Sequence, residues 1–361
     1  MRDTASPLHG ENLTIAAFLK QSEQWKNSVL GAFCFSAEAV ERQMQADTKI
    51  PCMWPPLQRL DADDSICEVW HGSGQITQGQ TGAIHYRHDD AVLFGVIELS
   101  ETMFPADTDK TPLQQATESA YRQMFALLDT LRYPYLFRCR NYIADITAHS
   151  FGLERYRQFN LGRQDAFLAH ERDVTGNVPA ACALGFGQSG SAPGGLPTLH
   201  IAFLAGRAAP LNIENPRQIS AYQYPQQYGP RSPTFSRASL ARIGQNGVLF
   251  ISGTASIVGH ATVHPGNVVA QTRETMNNIG AVLAEANRLA NQTKFDLASL
   301  HYTVYVRNPT DLAQICAELT HCVGGALKAV YLQADVCRQD LLLEIEATAV
   351  HPLMPVPCQR G

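Results

Sequence analysis

The sequence has few charged residues and no excess of positive ones. Asp, Glu, Lys and Arg make up 17% of the 361 residues, and the formal net charge is −5. A disordered polar chain would carry fewer apolar residues than the 45% found here. A general nucleic-acid binder would need a basic face to meet the phosphate backbone. We therefore expect a globular protein with no nucleic-acid partner.

Long apolar runs are also missing. A membrane-spanning helix needs about 18 consecutive apolar residues, and the sequence has no such run. The first ten residues, MRDTASPLHG, contain no apolar stretch of signal-peptide length. The nine cysteines are an odd number spread through a large chain, which is typical of reduced thiols. We expect a cytoplasmic protein with no membrane partner.

Motifs for nucleotides and metals are missing as well. The sequence contains neither G-x-x-x-x-G-K-[ST] nor H-E-x-x-H, and it has no paired C-x-x-C. GFGQSG at 185–190 matches G-x-G-x-x-G, but a Gly/Pro-rich segment follows it where dinucleotide binding needs a helix N-terminus. Cys316, His321 and Cys322 make an incomplete zinc set, which we interpret as helix packing. The sequence predicts no metal and no organic cofactor.

Hydrophobic periodicity predicts two similar series of strands and helices. The first series has a strand at 91–99, a helix at 111–131, a strand at 135–146, a helix at 153–170, and strands at 181–187 and 198–206. The second has a strand at 247–257, a helix at 264–290, a strand at 300–307, a helix at 309–320, and strands at 328–338 and 341–350. The first ninety residues predict only irregular structure with short strands. The repeated order indicates a duplicated fold.

The predicted fold class is α+β, with helices packed on one face of a mixed sheet in each half. A chain of 361 residues is longer than one domain of about 100–200 residues. Residues 212–233 are rich in Pro, Gly and Gln, so we predict a linker there that contributes to the site. The predicted N-terminal domain is then 1–211, and the C-terminal domain is 234–361.

The C-terminal half resembles the Rid family, whose small domains have a barrel-like, chorismate-mutase-like fold. The residues that carry the resemblance are GVLFISGTASIVGHATVHPGNVVAQTRETMNNIGAVLAEAN (247–287), YTVYVR (302–307) and EIEATAV (344–350). The resemblance implies the fold and not an activity. Rid imine deaminases hold the substrate carboxylate with an arginine on the penultimate strand. Here Ala329 falls at that place, with Lys328 beside it, so we do not expect deaminase activity.

The whole chain resembles the chorismatases, in which a divergent N-terminal half precedes a Rid-like half. The residues that carry it are ERYRQFNLGRQDAF (154–167), QYPQQYGPRSPTFSRA (223–238), SGTAS (252–256) and DVCRQDLLLEIEA (335–347). The resemblance implies an enzyme that releases pyruvate from chorismate. It places the family's catalytic glutamate at Glu344 and the thiol of hydroxybenzoate-forming members at Cys337. It also places Gly253 and Ala255 at the substrate, Ala255 being the position that separates subtypes.

The residues themselves are compatible with that chemistry. Glu344 and Glu346 lie two apart in an apolar run, so on a strand both side chains share one face. Burial in a cleft would raise the pKa of Glu344 and let it hold a proton for the enol ether carbon. The alternative is an edge strand with solvated glutamates. We expect Cys337 on the neighbouring strand, brought beside Glu344 by a turn near Gln339 and Asp340.

Chorismate is a dianion, so its two carboxylates call for cationic partners. Arg231 lies in the stiff loop YGPRSP and is the first candidate, Arg163 is the second, and Tyr228 is a hydrogen-bond partner for the ligand. Loop and helix packing accounts for His260 and His264.

We expect cleavage of chorismate to pyruvate and a hydroxybenzoate, with 4-hydroxybenzoate formed alone or beside the 3-isomer. The sequence leaves two alternatives open. One is simple hydrolysis of chorismate to a dihydroxycyclohexadiene carboxylate and pyruvate. The other is a non-catalytic Rid-like ligand-binding protein. A homo-oligomer is also left open.

Overall fold

Three β-sheets surround a shared apolar core in this protein. The structure, a computed structural model, describes residues 8–35, 49–106, 109–187, 198–290 and 294–352. Sheets of four, seven and six strands occur in these ranges, with two small hairpins beside them. None of the helices in these ranges has the length and apolar composition that crossing a membrane requires.

The first sheet occupies the region that the sequence predicts to be irregular. Its strands are β1 (His9–Thr14), β2 (Val29–Phe35), β3 (Cys52–Met53) and β4 (Ile66–His71), in the order β1-β4-β2-β3. Short helices α1 (Ile15–Leu19) and α2 (Glu23–Lys26) connect β1 to β2. The prediction of short strands is confirmed, but that of irregular structure is wrong. Every residue of β2 is buried, so its sequence lacks the polar alternation of a half-exposed strand.

The second sheet contains the first predicted series. Its elements begin with β5 (Thr77–Thr81), β6 (Ile84–His88), β7 (Val92–Leu99), α3 (Pro112–Leu131) and β8 (Tyr135–Ala144). The hairpin β9 (His149–Ser150) and β10 (Leu153–Glu154), α4 (Arg155–Ala169), β11 (Ala180–Phe186) and β12 (Leu199–Gly206) follow. The side chain of Thr111 caps α3 by accepting the Gln114 N–H, and Arg132 ends it in a left-handed conformation.

The third sheet contains the second predicted series. Its elements begin with β13 (Leu211–Ile213), β14 (Ala238–Ile243), β15 (Asn246–Thr254), the hairpin β16 (Ile257–Val258) and β17 (Ala261–Thr262), and α5 (Val268–Ala290). Then come β18 (His301–Val306), α6 (Leu312–Val323), β19 (Lys328–Gln333), β20 (Asp335–Val336) and β21 (Leu343–Pro352). The strand order is β13-β14-β15-β21-β18-β19.

The two larger sheets share one topology. In the second sheet the order β5-β6-β7-β12-β8-β11 repeats the order of the third sheet, with the last two strands parallel in both. Helices α3 and α4 pack on the outer face of the second sheet, and α5 and α6 pack on the third. The prediction of two Rid-like α+β halves is therefore confirmed. The limits of the domains stay a prediction, and the segment 212–233 begins inside β13, which pairs with β14.

One predicted strand is divided between two sheets. The sequence predicts a continuous strand at 328–338, but β19 ends at Gln333 and pairs with β18. β20 then joins the second sheet, where Asp335 and Val336 pair antiparallel with β11. The prediction of a single strand is wrong because the chain crosses between sheets without a Gly or Pro to mark the change.

The inner faces of the three sheets meet through aromatic rings. Trp70 and Phe250 join the first and third sheets, with ring centroids 5.7 Å apart. Phe33 lies 5.3 Å from Phe94 of the second sheet. Tyr142 and Tyr305 join the second and third sheets through hydroxyl groups 2.8 Å apart. The candidate site lies between the second and third sheets.

Candidate active site

Strand β21 presents two buried glutamates toward the second sheet. It lies inside the third sheet between β15 and β18, so the alternative of an edge strand with solvated glutamates is wrong. Glu346 is fully buried and forms ion pairs with Arg138 at 2.9 Å and Arg140 at 3.0 Å. The hydroxyl of Tyr305 donates a hydrogen bond to it at 2.8 Å. Burial alone would raise the pKa of Glu346, but the two guanidinium groups lower it to about 2.

Glu344 has the opposite environment. Its side chain is buried against the cavity described below, and burial is the largest cause that raises its pKa to about 8. The negative charge of Glu346 raises the pKa further, and the positive charge of Arg237 opposes both. At neutral pH Glu344 is therefore a proton-bearing acid beside a permanently ionised neighbour.

A glycine makes room for this carboxyl group. A Cβ on Gly253 would overlap Oε1 of Glu344 and would lie 3.1 Å from the Cβ of Cys182. The pairing of β15 with β21 shifts register between Ile251 and Thr254, so the backbone approaches the carboxyl group at this irregularity. The absence of a side chain at Gly253 leaves the space that the carboxyl group of Glu344 occupies.

A cavity of about 640 Å³ opens in front of Glu344. It is bounded by α4, β11, the segment 218–237, the end of β15 with its hairpin, and residues 337–341. Six of the seven predicted site residues line it: Glu344, Cys337, Arg163, Tyr228, Ala255 and Gly253. The structure therefore brings together residues that lie far apart in the sequence.

Arg231 is the exception. It is exposed and is not among the lining residues, although Tyr228 and Pro233 on either side of it are. The chain turns at Gly229, where φ is 137°, and the loop then presents Arg231 to solvent. The structure does not bring Arg231 to the cavity with the other six residues, and its role in holding a substrate carboxylate stays a prediction.

Three other arginines supply positive charge to the cavity. Arg163 is 2% exposed and donates to Asn160 Oδ1 at 2.9 Å. Arg237 donates to the Tyr224 hydroxyl at 2.9 Å. Arg338 lies 4.2 Å from the centre of the Tyr228 ring. In the described ranges none of the three forms an ion pair with a carboxylate, and the Nε atoms of Arg163 and Arg237 are buried without a hydrogen-bond partner.

The local fold explains why Arg163 reaches the cavity. It follows Gly162 in α4, and a Cβ on that glycine would overlap the backbone oxygen of Gln114 in α3. The close approach of the two helices fixes the rotation of α4 and turns the next residue toward the cavity. Arg157, on the same helix, also lines the cavity but is neutralised by Glu154 at 3.0 Å.

Sequence reasoning missed Arg237 and Arg338. Both lie in segments quoted for the resemblance, at 223–238 and 335–347. Arg237 precedes β14, and Arg338 follows β20. An irregular segment has no periodicity that would tell which of its side chains points inward, so the sequence offers no signal that separates Arg237 from Arg231.

The predicted turn at Gln339 and Asp340 is confirmed, because the Leu341 N–H donates to the carbonyl oxygen of Arg338, but Cys337 does not lie on a strand that pairs with β21. It directly follows β20, which pairs with β11 of the second sheet and not with β21. Burial raises the pKa of the thiol to about 12, and the charge of Glu344 adds to the effect. Cys337 is therefore a neutral thiol at neutral pH, a weak donor rather than a thiolate nucleophile.

Tyr228 and Ala255 complete the wall. The hydroxyl of Tyr228 shares a hydrogen bond with Nδ1 of His260 at 3.1 Å. Ala255 is held from behind, because the side-chain amide of Asn278 donates to its carbonyl oxygen at 3.1 Å.

Cys358 and residues 188–190 of the GFGQSG motif lie outside the described residues.

Comparison with known proteins agrees with this architecture. The family model described as "Chorismatase FkbO/Hyg5-like, N-terminal" matches residues 68–205, and the Rid-type model described as "Endoribonuclease L-PSP" matches residues 233–351. A protein named chorismatase from Streptomyces hygroscopicus is 37% identical over 290 residues, which cover 79% of each chain. This chain belongs to the chorismatase family.

Other members support the same assignment. A chorismatase of Streptomyces rapamycinicus is 38% identical over 79% of this chain and 82% of its own length. A 3-hydroxybenzoate synthase of Streptomyces hygroscopicus is 35% identical over 80% and 82%. The crystal structure of a chorismatase superposes with a TM-score of 0.80 at 30% identity, covering 97% of this chain and 100% of that one. The resemblance found in the sequence is confirmed, and the chain is an enzyme of the chorismatase type.

Proposed function

We propose that this chorismatase cleaves chorismate to pyruvate and a hydroxybenzoate in the cavity beside Glu344. The observation that carries the proposal is a buried carboxyl group with a raised pKa, set in a cavity wall with three arginines that form no ion pair with a carboxylate of the described ranges. Chorismate has an enol ether and two carboxylates. It fits both features, because the enol ether accepts a proton and the carboxylates bind to cations. The relatives named chorismatase support this substrate.

The first step is proton transfer from Glu344 to the methylene carbon of the enolpyruvyl group. The carbon that carries the ether oxygen becomes an oxocarbenium ion, and the negative charge left on Glu344 lies near Arg237. In the hydrolytic route water adds to that carbon and returns a proton to Glu344. The resulting hemiketal then breaks its bond to the ring oxygen and releases pyruvate.

The aromatic product needs one further loss. Loss of the ring-4 hydroxyl as water, with the ether oxygen retained on the ring, gives 3-hydroxybenzoate. Departure of the whole enolpyruvyl group with the ring-4 proton gives 4-hydroxybenzoate, and both routes balance as chorismate to pyruvate plus hydroxybenzoate. The neutral thiol of Cys337 near Glu344 supports an aromatic product, as does the relative named 3-hydroxybenzoate synthase.

The proposed isomer of hydroxybenzoate depends on the side chain at Ala255. We expect glycine at this place in members that make only the 3-isomer, and the methyl group of Ala255 lines the cavity and changes how the ring sits against Glu344. We therefore keep 4-hydroxybenzoate, alone or beside the 3-isomer, as the proposed product. Hydrolysis to the diene diol remains the alternative outcome.

For the substrate carboxylates we propose Arg163, Arg237 and Arg338, all of which line the cavity. Their orientation is fixed by hydrogen bonds to neutral groups, so each guanidinium is held in place before a substrate binds. Tyr228 and Gly253 are proposed to shape the wall against which the substrate lies.

The test is incubation of the purified chain with chorismate. Pyruvate is followed by coupling to lactate dehydrogenase, and the ring products are separated by chromatography beside authentic 3- and 4-hydroxybenzoate. Pyruvate with a hydroxybenzoate supports the proposal. Pyruvate with only the diol refutes the aromatic product, and no pyruvate above the rate without enzyme refutes cleavage altogether.

A further inference from the structure

A cluster of metal-ligating side chains lies in the first sheet, away from the cavity. His9 in β1 is directly opposite His71 in β4, and Glu11 lies two residues along β1 from His9. Residues two apart on a strand share a face with the residue opposite, so all three side chains project from one face. Their nitrogen and carboxylate oxygen atoms all lie within 4.8 Å of one another.

The hydrogen bonds of Ser28 determine which ring nitrogen of His71 carries a hydrogen. The single hydrogen of the Ser28 hydroxyl is donated to the carbonyl oxygen of Trp25 at 2.7 Å. The contact of 2.9 Å between that hydroxyl oxygen and Nδ1 of His71 must therefore be donated by Nδ1–H. In a neutral imidazole the lone pair is then on Nε2.

That lone pair points at another acceptor. Nε2 of His71 lies 2.8 Å from Oε1 of Glu11, and an ionised carboxylate has no hydrogen to donate. Two acceptors at this distance are attractive only with a positive atom between them, which is either a proton or a metal ion. The imidazole of His9 is stacked on His71 with ring centroids 4.7 Å apart, and one of its ring nitrogens lies within 4.8 Å of the ligand atoms of both His71 and Glu11.

We propose that His9, Glu11 and His71 bind one divalent zinc ion. Two imidazoles and one carboxylate match the preferences of Zn²⁺, and three protein ligands leave a fourth position for water. Ser28 holds His71 through the second ring nitrogen, as groups behind metal-ligating histidines do. Trp25 packs edge-on against the His71 ring at 4.7 Å and shields it.

This site is separate from the proposed catalytic cavity, since none of its three residues lines that cavity. Sequence motifs do not reveal it, because the ligands come from two strands about sixty residues apart that the register of β1 and β4 aligns. The ion would join β1 to β4 at the edge of the first sheet.

The test is zinc titration by calorimetry of the full-length, tag-free chain after chelator treatment and in reducing buffer. We expect one ion per chain with a Kd of about micromolar or tighter. His9→Ala and Glu11→Gln should each weaken binding at least about tenfold, and Ser28→Ala by about 10- to 100-fold. The matched control is His85→Ala, an exposed histidine of β6 outside the cluster, which should bind zinc as the wild type does.

Cobalt distinguishes this site from the cysteines. Co²⁺ bound here should show the visible bands of nitrogen and oxygen ligation without a sulfur charge-transfer band, and His9→Ala should lose those bands. Because His71 is buried, the partly exposed His9 and Glu11 are the variants that decide the test. A Kd weaker than about 1 mM, or an affinity unchanged in both variants, overturns the proposal and leaves a proton between His71 and Glu11.

Discussion

Two glutamates separated by one residue on β21 differ in proton affinity by several pKa units. Glu346 has two guanidinium partners and a pKa of about 2, whereas burial without such a partner raises the pKa of Glu344 to about 8. The charge on Glu346 also keeps the proton on Glu344. One strand thus carries a proton donor and the ionised carboxylate that helps to raise its pKa.

Glu344→Gln keeps the shape of the side chain but removes its exchangeable acid proton. Turnover of chorismate should fall by about 10² or more, the usual loss for a general acid. In the wild type, kcat/KM should decline as pH rises through about 8, because the acid form of Glu344 is lost there. Pyruvate release measured from pH 6 to 10 checks both. Near-normal turnover in Glu344→Gln would remove the residue from the mechanism, and Glu285→Gln on α5 is the matched control.

Cys337→Ala withdraws a neutral thiol from the cavity without adding bulk. We expect the products to shift toward the diene diol, because the aromatising route loses the thiol that we propose acts beside Glu344. Chromatography of the products measures the ratio of diol to hydroxybenzoate, and Cys316→Ala on α6 is the control. An unchanged product spectrum would contradict the role of Cys337 while leaving cleavage intact.

Arg237→Lys keeps the charge but loses the two-pronged guanidinium. If Arg237 binds a carboxylate, KM should rise about tenfold or more, because lysine cannot make the same bidentate contact. The exposed Arg231 provides the matched change in the same segment, and Arg231→Lys should leave both kinetic constants unchanged. Equal effects in the two variants would mean that the structure does not identify the binding arginine.

At the scale of elements, the helices and most strands of both halves follow from periodicity. The predicted helix at 111–131 matches α3 to within one residue, and 264–290 ends with α5 at Ala290. The division of 328–338 was not predictable, since the alternation of apolar residues continues across the break. What decides the break is tertiary: β11 offers a free edge that β20 pairs with.

Arg307 holds the segment that carries Cys337. Its guanidinium donates to Asp335 at 2.6 Å and to the carbonyl oxygens of Val336, Arg338 and Leu341 at 2.8–3.0 Å. These bonds fix residues 335–341 on the cavity wall. The side chain of Arg307 thus contacts four residues of this segment.

Arg307→Ala should therefore loosen this segment. A hydrogen bond to a charged group contributes about 1.5–3 kcal/mol, so amide exchange at 336–341 should speed up about tenfold or more. Hydrogen–deuterium exchange with mass spectrometry measures this, and alkylation of Cys337 should quicken in parallel. Arg288→Ala, which removes an exposed ion pair within α5, is the control. Unchanged exchange at 336–341 would show that β20 and the hydrogen bonds of Gln271 to Asp340 and Leu342 hold the segment without Arg307.

At the scale of the whole molecule, charge pairs join all three sheets. Arg140 of β8 pairs with Glu346 of the third sheet at 3.0 Å and with Glu68 of the first at 2.7 Å. Sequence reasoning predicted the two similar halves from their repeated order. It could not predict the first sheet or this network, because both depend on partners far apart in the chain.

Glu346→Gln should destabilise the fold as a whole. Removing one member of a buried ion cluster leaves Arg138 and Arg140 partly uncompensated and costs about 3–5 kcal/mol at neutral pH. The pKa of Glu346 is lower in the folded than in the unfolded chain, so its stabilising contribution is present above pH 4.5 and is lost as pH falls toward 2.

Urea unfolding of Glu346→Gln and the wild type at pH 7 and at pH 3 measures this difference. The gap in unfolding free energy should narrow at the lower pH. A gap that widens, or none at pH 7, would contradict the ion cluster as a link between the halves. Glu318→Gln, which breaks a single partly exposed ion pair with Arg273, is the control and should cost about 1 kcal/mol or less.

The crossing of β20 to the second sheet has a consequence for biosynthesis. A ribosome completes β11 about 150 residues before β20 exists to cover its edge, and Arg138 and Arg140 are made about 206 residues before Glu346. During that interval the nascent first half has an open strand edge and two cations without their main partner, a state prone to wrong pairing. Chains that stop before residue 335 should therefore need chaperones or aggregate.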